Sequence, residues 1–173
     1  MVLRILILAS DVPNAAFDIT PVRSAADLEA TVHLFKAYAA SLAIDLAYQY
    51  FAAELAGMPG RYAPPAGELL LARDLQGRPS GCVGLRPLPP DGCCEIKRLY
   101  VPPAWRGRGL GKRLIDAILE TAARIGYRDI LLDTLPEMVE AITLYRRSGF
   151  EVIAPYYETP IAGTTFMKRS LVD

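Results

Sequence analysis

Histidine is almost absent from this chain. His33 is the only one in 173 residues, and it forms no ligand-like spacing with Cys82, Cys93 or Cys94. The cysteines are odd in number and contain no C-x-x-C pair, so neither a zinc site nor a disulfide framework is expected, and no metal is called for. Free thiols suit a reducing compartment, the cytoplasm. Neither sign of charge dominates: nineteen Lys and Arg balance nineteen Asp and Glu. A general binder of nucleic acid or of a membrane surface would show a basic surplus, so neither partner is expected. Long apolar runs are missing too. The longest, Ile5 to Ala9, falls far short of the roughly 20 residues a spanning helix needs. With Arg4 alone before it, it also makes a poor signal peptide. Residues 1–16 read as an N-terminal extension or an extra strand, and 17–173 as one domain.

What is present argues for a packed globule. Apolar residues make up 52% and charged ones 22%, which excludes intrinsic disorder. A chain of this length buries roughly 70% of its unfolded surface, enough for a core without staples.

Pro and Gly punctuate at short intervals, as in a compact mixed fold. Phe17 to Val22 suggests a strand, placed at an edge by Pro21. Ser24 with Asp27 three residues on resembles a capping box. Behind it Leu28, Val32, Phe35, Ala39 and Leu42 recur at helical spacing. A second short helix would carry Tyr48, Phe51 and Leu55, stopped by Gly57. Three strands follow with short turns between them, at 68–73, 80–85 and 93–101, and should be antiparallel. The pattern then becomes helix from Leu110 to Gly126, strand at 130–132, helix at 137–147, strand at 150–153 and a last strand at 164–171. Such crossovers make the central junction parallel. The expected fold is single-domain α/β: one mixed sheet, antiparallel in its N-terminal half and parallel at the central crossover, flanked by helices.

The chemistry concentrates in CCEIKRLYVPPAWRGRGLGKR, Cys93 to Arg113. A strand ends before two prolines, and a turn rich in glycine (Gly107, Gly109, Gly111) opens a helix. Backbone N–H groups at such an end have no intrahelical partner and favour phosphate. Two familiar phosphate loops fail to match. The P-loop pattern finds Arg106 where glycine is required and Arg113 where a hydroxyl is required. The dinucleotide fingerprint finds Lys112 in place of its third glycine.

Arg106-x-x-Gly109-x-Gly111 does match the R/Q-x-x-G-x-G/A signature of the GNAT superfamily of N-acetyltransferases. Downstream, AITLYRRSGFE (Ala141 to Glu151) resembles the family's A-x-x-L-Y-x-x-x-G-F segment. The resemblance covers roughly Phe17 to Leu171. It implies that acetyl-CoA is the acyl donor. Its pantetheine would lie along the backbone of Leu99, Tyr100 and Val101. Its pyrophosphate would lie in the cradle formed by Arg106, Gly107, Arg108, Gly109, Leu110, Gly111 and Lys112. The Leu99 amide would polarise the thioester carbonyl.

Two side chains are candidates for proton transfer. Glu95, six residues before Val101, stands where some branches of the family place a general base. Alternatively, it faces Lys97 or a neighbouring strand's cation and keeps a sheet face polar. Tyr145 matches the tyrosine that many members use as a general acid toward the CoA sulfur, and it also falls on the apolar stripe Met138, Ala141, Ile142. Met138 departs from the family, which often has Asn there.

Asp133 and Thr134 are expected to bind the acceptor amine or to cap the next helix. Tyr156 and Tyr157 either wall the acceptor pocket or simply pack in their loop. Lys97, Arg98, Arg146 and Arg147 read as decoration of element faces, Lys97 or Arg98 alternatively meeting an acceptor carboxylate. The leading function is N-acetyl transfer to an amine of a small molecule or protein by direct attack in a ternary complex. A catalytically silent acyl-CoA-binding module and a nucleic-acid module are the competing readings. The acceptor and the oligomeric state, a homodimer included, stay open.

Overall fold

The computed structural model describes residues 17–172. The extension expected at 1–16 lies outside the described residues.

Seven strands form one sheet: β1 (Phe17–Pro21), β2 (Glu68–Asp74), β3 (Pro79–Leu88), β4 (Cys93–Tyr100), β5 (Asp129–Thr134), β6 (Glu151–Ile153) and β7 (Thr165–Ser170). Their order is β1-β2-β3-β4-β5-β7-β6. The β4–β5 pair is parallel and the remaining pairs are antiparallel, as expected. The Pro21 strand is indeed an edge. The helices are α1 (Ala25–Ser41), α2 (Phe51–Ala56), α3 (Leu110–Ile125) and α4 (Val139–Arg147).

Helix α1 starts where Ser24 accepts the Asp27 amide, and Arg73 pairs with Asp27 to fix that end to β2. Its buried face is Thr31, Leu34 and Phe35 rather than the purely apolar stripe. Thr31 can be buried because its hydroxyl donates to the Asp27 carbonyl. Fully buried Phe35 contributes about 1.5–3 kcal/mol of hydrophobic stabilisation. The second helix differs more. Tyr48 belongs to a separate 3-10 turn, Leu46–Gln49, because Tyr50 adopts a left-handed conformation (φ 56°) that breaks the chain before α2.

One face of the sheet packs Val83, Leu85 and Ile96 under α3 and α4, with Leu114, Ile118 and Tyr145. The other packs Leu69, Leu71 and Tyr100 under α1, with Tyr62. Gly126 ends α3 in the left-handed conformation.

Candidate active site

Strands β4 and β5 pair over three positions, Cys93–Glu95 against Asp129–Leu131, and then part. The opposite edge of β4 shows a matching irregularity. Cys82 faces Tyr100 and Gly84 faces Lys97, so Val83 alone opposes Arg98 and Leu99. Such a bulge bends and twists a strand. Arg98 sits there at φ 57°, a conformation costly for any residue but glycine. Its guanidinium is anchored in compensation: it donates to both carboxylate oxygens of Glu54 and to Gln49 Oε1, and it lies 5.0 Å from the centre of the Phe51 ring.

The parted strands open onto a groove of about 860 Å³ that runs to the start of α3. Of the ten residues expected to hold the cofactor, all but Arg108 line it. Arg108 instead lies over the Trp105 ring at 5.2 Å. Gly107 (φ 73°) and Gly109 (φ 75°) turn the chain into α3, and a Cβ at either would meet nothing within 4 Å. The first amide to find an intrahelical carbonyl is that of Arg113, and no side chain caps the earlier ones. The first turn has no acidic residue but carries Lys112 and Arg113, against the helix dipole. An anion in front of these amides would relieve both deficits, so a pyrophosphate fits this end. Gly111 has a different part: a Cβ there would stand 3.2 Å from Leu144 Cδ2, so its smallness serves the packing of α3 on α4.

A throat of about 60 Å³ lies between the parted strands and shares Tyr38, Leu99, Met138 and Ala141 with the groove. Tyr145, Asp133 and Thr134 line it. Tyr145 packs edge-on against Phe150 at 5.7 Å, and burial pushes its phenol above the ordinary range. Met138, in place of the family's asparagine, offers its sulfur to the Thr134 hydroxyl at 3.7 Å. Neither Asp133 nor Thr134 caps α4.

On its far side the throat shares Tyr48, Gln49 and Lys97 with a chamber of about 520 Å³. Its floor is a buried polar network. Glu95, 1% exposed, receives Arg86 Nε on Oε2 at 2.9 Å and the Tyr156 hydroxyl on Oε1 at 2.7 Å. Lys97 Nζ lies 2.7 Å from Asp133 Oδ1 and 3.7 Å from Glu95 Oε1. Asp133 Oδ2 accepts the Tyr157 hydroxyl at 3.0 Å. Burial alone would raise the Asp133 carboxyl, but Lys97, the Tyr157 hydroxyl and Arg98 together outweigh it and hold the group below its usual range. Glu54, held down the same way by Arg98, also accepts the Tyr62 hydroxyl at 2.6 Å.

Glu95, Tyr145, Asp133, Thr134, Tyr156 and Tyr157 thus line two adjoining cavities that share Tyr48, Gln49 and Lys97. Lys97 and Arg98 are not decoration: both are buried and paired. Sequence reading also passed over Gln49, Glu54, Tyr62 and Arg86. A charged i, i+2 pair, Glu95 and Lys97, inside a central strand was the available signal, since alternation puts both on one covered face.

A profile described as the acetyltransferase (GNAT) family matches residues 29–150. The chain belongs to this family. An uncharacterized N-acetyltransferase of Schizosaccharomyces pombe is 39% identical over 153 residues, covering 88% of this chain and 94% of that protein. A GNAT-family acetyltransferase of Staphylococcus aureus superposes with a TM-score of 0.75 at 21% identity, over 91% of this chain and 100% of that one. An acetyltransferase of Salmonella typhimurium, solved with its cofactor acetyl-CoA, superposes at 0.66 with 20% identity, over 91% and 95% of the two chains. This GNAT protein is an acyltransferase that uses an acyl-CoA and an amine acceptor. Among the described residues no three His, Cys, Asp or Glu are grouped to hold a metal, and no helix is long and apolar enough to cross a membrane.

Proposed function

We propose that the protein transfers the acetyl group of acetyl-CoA to an amine by direct attack in a ternary complex. The supporting observation is the succession of groove, throat and chamber through the parted strands, with Tyr145 in the throat and Glu95 on the chamber floor. Bound in the groove, acetyl-CoA would supply the thioester whose C–S bond breaks as the acceptor nitrogen forms its C–N bond. Leu99, Tyr100 and Val101 hold the pantetheine through their backbone, and the turn from Arg106 to Lys112 holds the pyrophosphate.

Glu95 receives the proton of the acceptor amine at Oε1, directly or through the Tyr156 hydroxyl that now occupies that oxygen. Tyr145, kept protonated by burial, donates its hydroxyl proton toward the departing sulfur. Asp133, Thr134 and Tyr157 border the path of the amine. We place the enzyme in a reducing compartment, the cytoplasm. Cys82, Cys93 and Cys94 are free and buried, and burial pushes the Cys94 thiol up to about 12, out of reach of nucleophilic use.

The test is an amine panel with acetyl-CoA, read by thiol release and by mass spectrometry of the product. Stoichiometric thiol and an acetyl-amine product are expected. Binding of acetyl-CoA without any thiol release beyond slow hydrolysis would sink the transfer reading.

A further inference from the structure

The charges lining the throat and chamber are unequal: Glu54, Glu95 and Asp133 against Arg61, Arg86, Lys97 and Arg98. The three carboxylates are each spent on a cation of the floor: Glu54 on Arg98, Glu95 on Arg86 and Asp133 on Lys97. Every oxygen of Glu95 and Asp133 already has a donor. An acceptor carrying additional positive charge therefore finds no uncommitted carboxylate, and it enters a cavity with one cation in excess. Polyamines and lysine-rich segments are poor fits on this ground.

Arg61 is the cation in excess. It stands in the 3-10 turn Gly60–Tyr62 on the chamber wall, and its Nη2 donates to the Pro87 carbonyl. It forms no ion pair among the described residues, unlike the three cations of the floor. That contact leaves most of a five-donor guanidinium for a ligand, in a geometry suited to carboxylate. The wall between Arg61 and the throat is mostly apolar or aromatic, with Ala53, Pro59 and Leu88 beside Tyr48, Tyr50 and Tyr157. Tyr50 is 80% exposed in its left-handed conformation, a large ring left at the rim.

We infer that the acceptor is a free ω-amino-acid-type molecule, with a primary amine directed to the throat, a carboxylate on Arg61, and between the two an apolar or aromatic body against the tyrosine wall. The inference rests on the acetyl-transfer reading above and narrows its acceptor. Lys97 and Arg98 do not supply the anion site, because Asp133 and Glu54 already hold them.

The experiment compares 4-(aminomethyl)benzoate with 4-(aminomethyl)benzamide and benzylamine, which lack the carboxylate, and with spermidine and a lysine peptide. Acetyl-CoA binding is first recorded by melting shift. kcat/KM is then measured by thiol release, and acceptor binding by the further melting shift it causes on the CoA-saturated protein. 4-(Aminomethyl)benzoate should exceed both of its carboxylate-free analogues by roughly 10- to 100-fold, the worth of a hydrogen bond to a charged group. Arg61→Gln should collapse that ratio toward one through KM, and Arg61→Lys should keep much of it.

Preference for spermidine, the lysine peptide or the carboxylate-free analogues overturns the inference and leaves acetyl transfer standing. So does an unchanged ratio in Arg61→Gln. If acetyl-CoA binds but 4-(aminomethyl)benzoate gives neither turnover nor a further shift, the inference is overturned as well. Absence of any acetyl-CoA shift instead strikes the underlying reading.

Discussion

The Tyr156 hydroxyl donates to Glu95 Oε1 at 2.7 Å, on the carboxylate oxygen that Arg86 does not hold. A proton leaving the acceptor must displace this hydroxyl or pass through it. Glu95→Gln should therefore lower turnover by roughly 10²–10⁴, the range of a general base, with acetyl-CoA affinity nearly unchanged. Raising the pH should restore part of the rate, because solvent then deprotonates the amine. The pH–rate profile at saturating acceptor checks this, and parental rates throughout would remove Glu95 from the reaction.

Tyr145→Phe should also slow turnover, but without alkaline rescue, since high pH supplies no proton to the leaving sulfur. The ring keeps its edge contact with Phe150, so the melting temperature should move little. A variant that loses stability yet keeps its rate per folded molecule would make Tyr145 a packing residue only.

Acetyl-CoA at about 100 times its dissociation constant should stabilise the protein by about 2.7 kcal/mol. For a domain of this size that is a rise in Tm of roughly 5–10 °C. ATP and NAD at matched concentration should shift it little, because the glycine turn matches neither of their loops. Equal shifts for all three would mean an unselective phosphate site.

Acid should weaken the fold through Glu54 and Asp133. Their cationic neighbours, outweighing burial, hold both carboxyls below the usual range in the folded protein. The unfolded chain thus takes up protons first as pH falls. The stability these groups contribute is complete above roughly pH 4, the ordinary carboxylate value, and is lost on descent through their lower folded values. Urea unfolding across this range should show the decline. Glu54→Gln should be less stable at neutral pH but decline less steeply.

The glycine turn and the L-Y-x-x-x-G-F segment were legible from sequence because backbone conformation and helix entry dictate their residue types. The antiparallel run of β2, β3 and β4 was legible from turn lengths, whereas the insertion of β7 between β5 and β6 was not. The bulge at Arg98 was not: arginine is a poor candidate for the left-handed conformation it adopts, and Glu54, forty-four positions earlier, supplies the compensating anchor. The acceptor floor was hidden for the same reason. Arg86, Glu95, Lys97 and Asp133 become a network only when β3, β4 and β5 are laid side by side. Helical periodicity runs through Tyr48, Phe51 and Leu55, but the backbone breaks at Tyr50 and leaves Tyr48 in the preceding 3-10 turn.

The three-position seam between β4 and β5 makes this sheet two slabs joined at one end. Past Glu95, the β5-facing edge of β4 is an unclosed zipper whose missing teeth are offered to whatever enters the gap. A ligand that lays amides there completes the sheet as well as binding to it. Solvent exchange at residues 97–101 is then a direct gauge of occupancy, legible before any acyl group has moved.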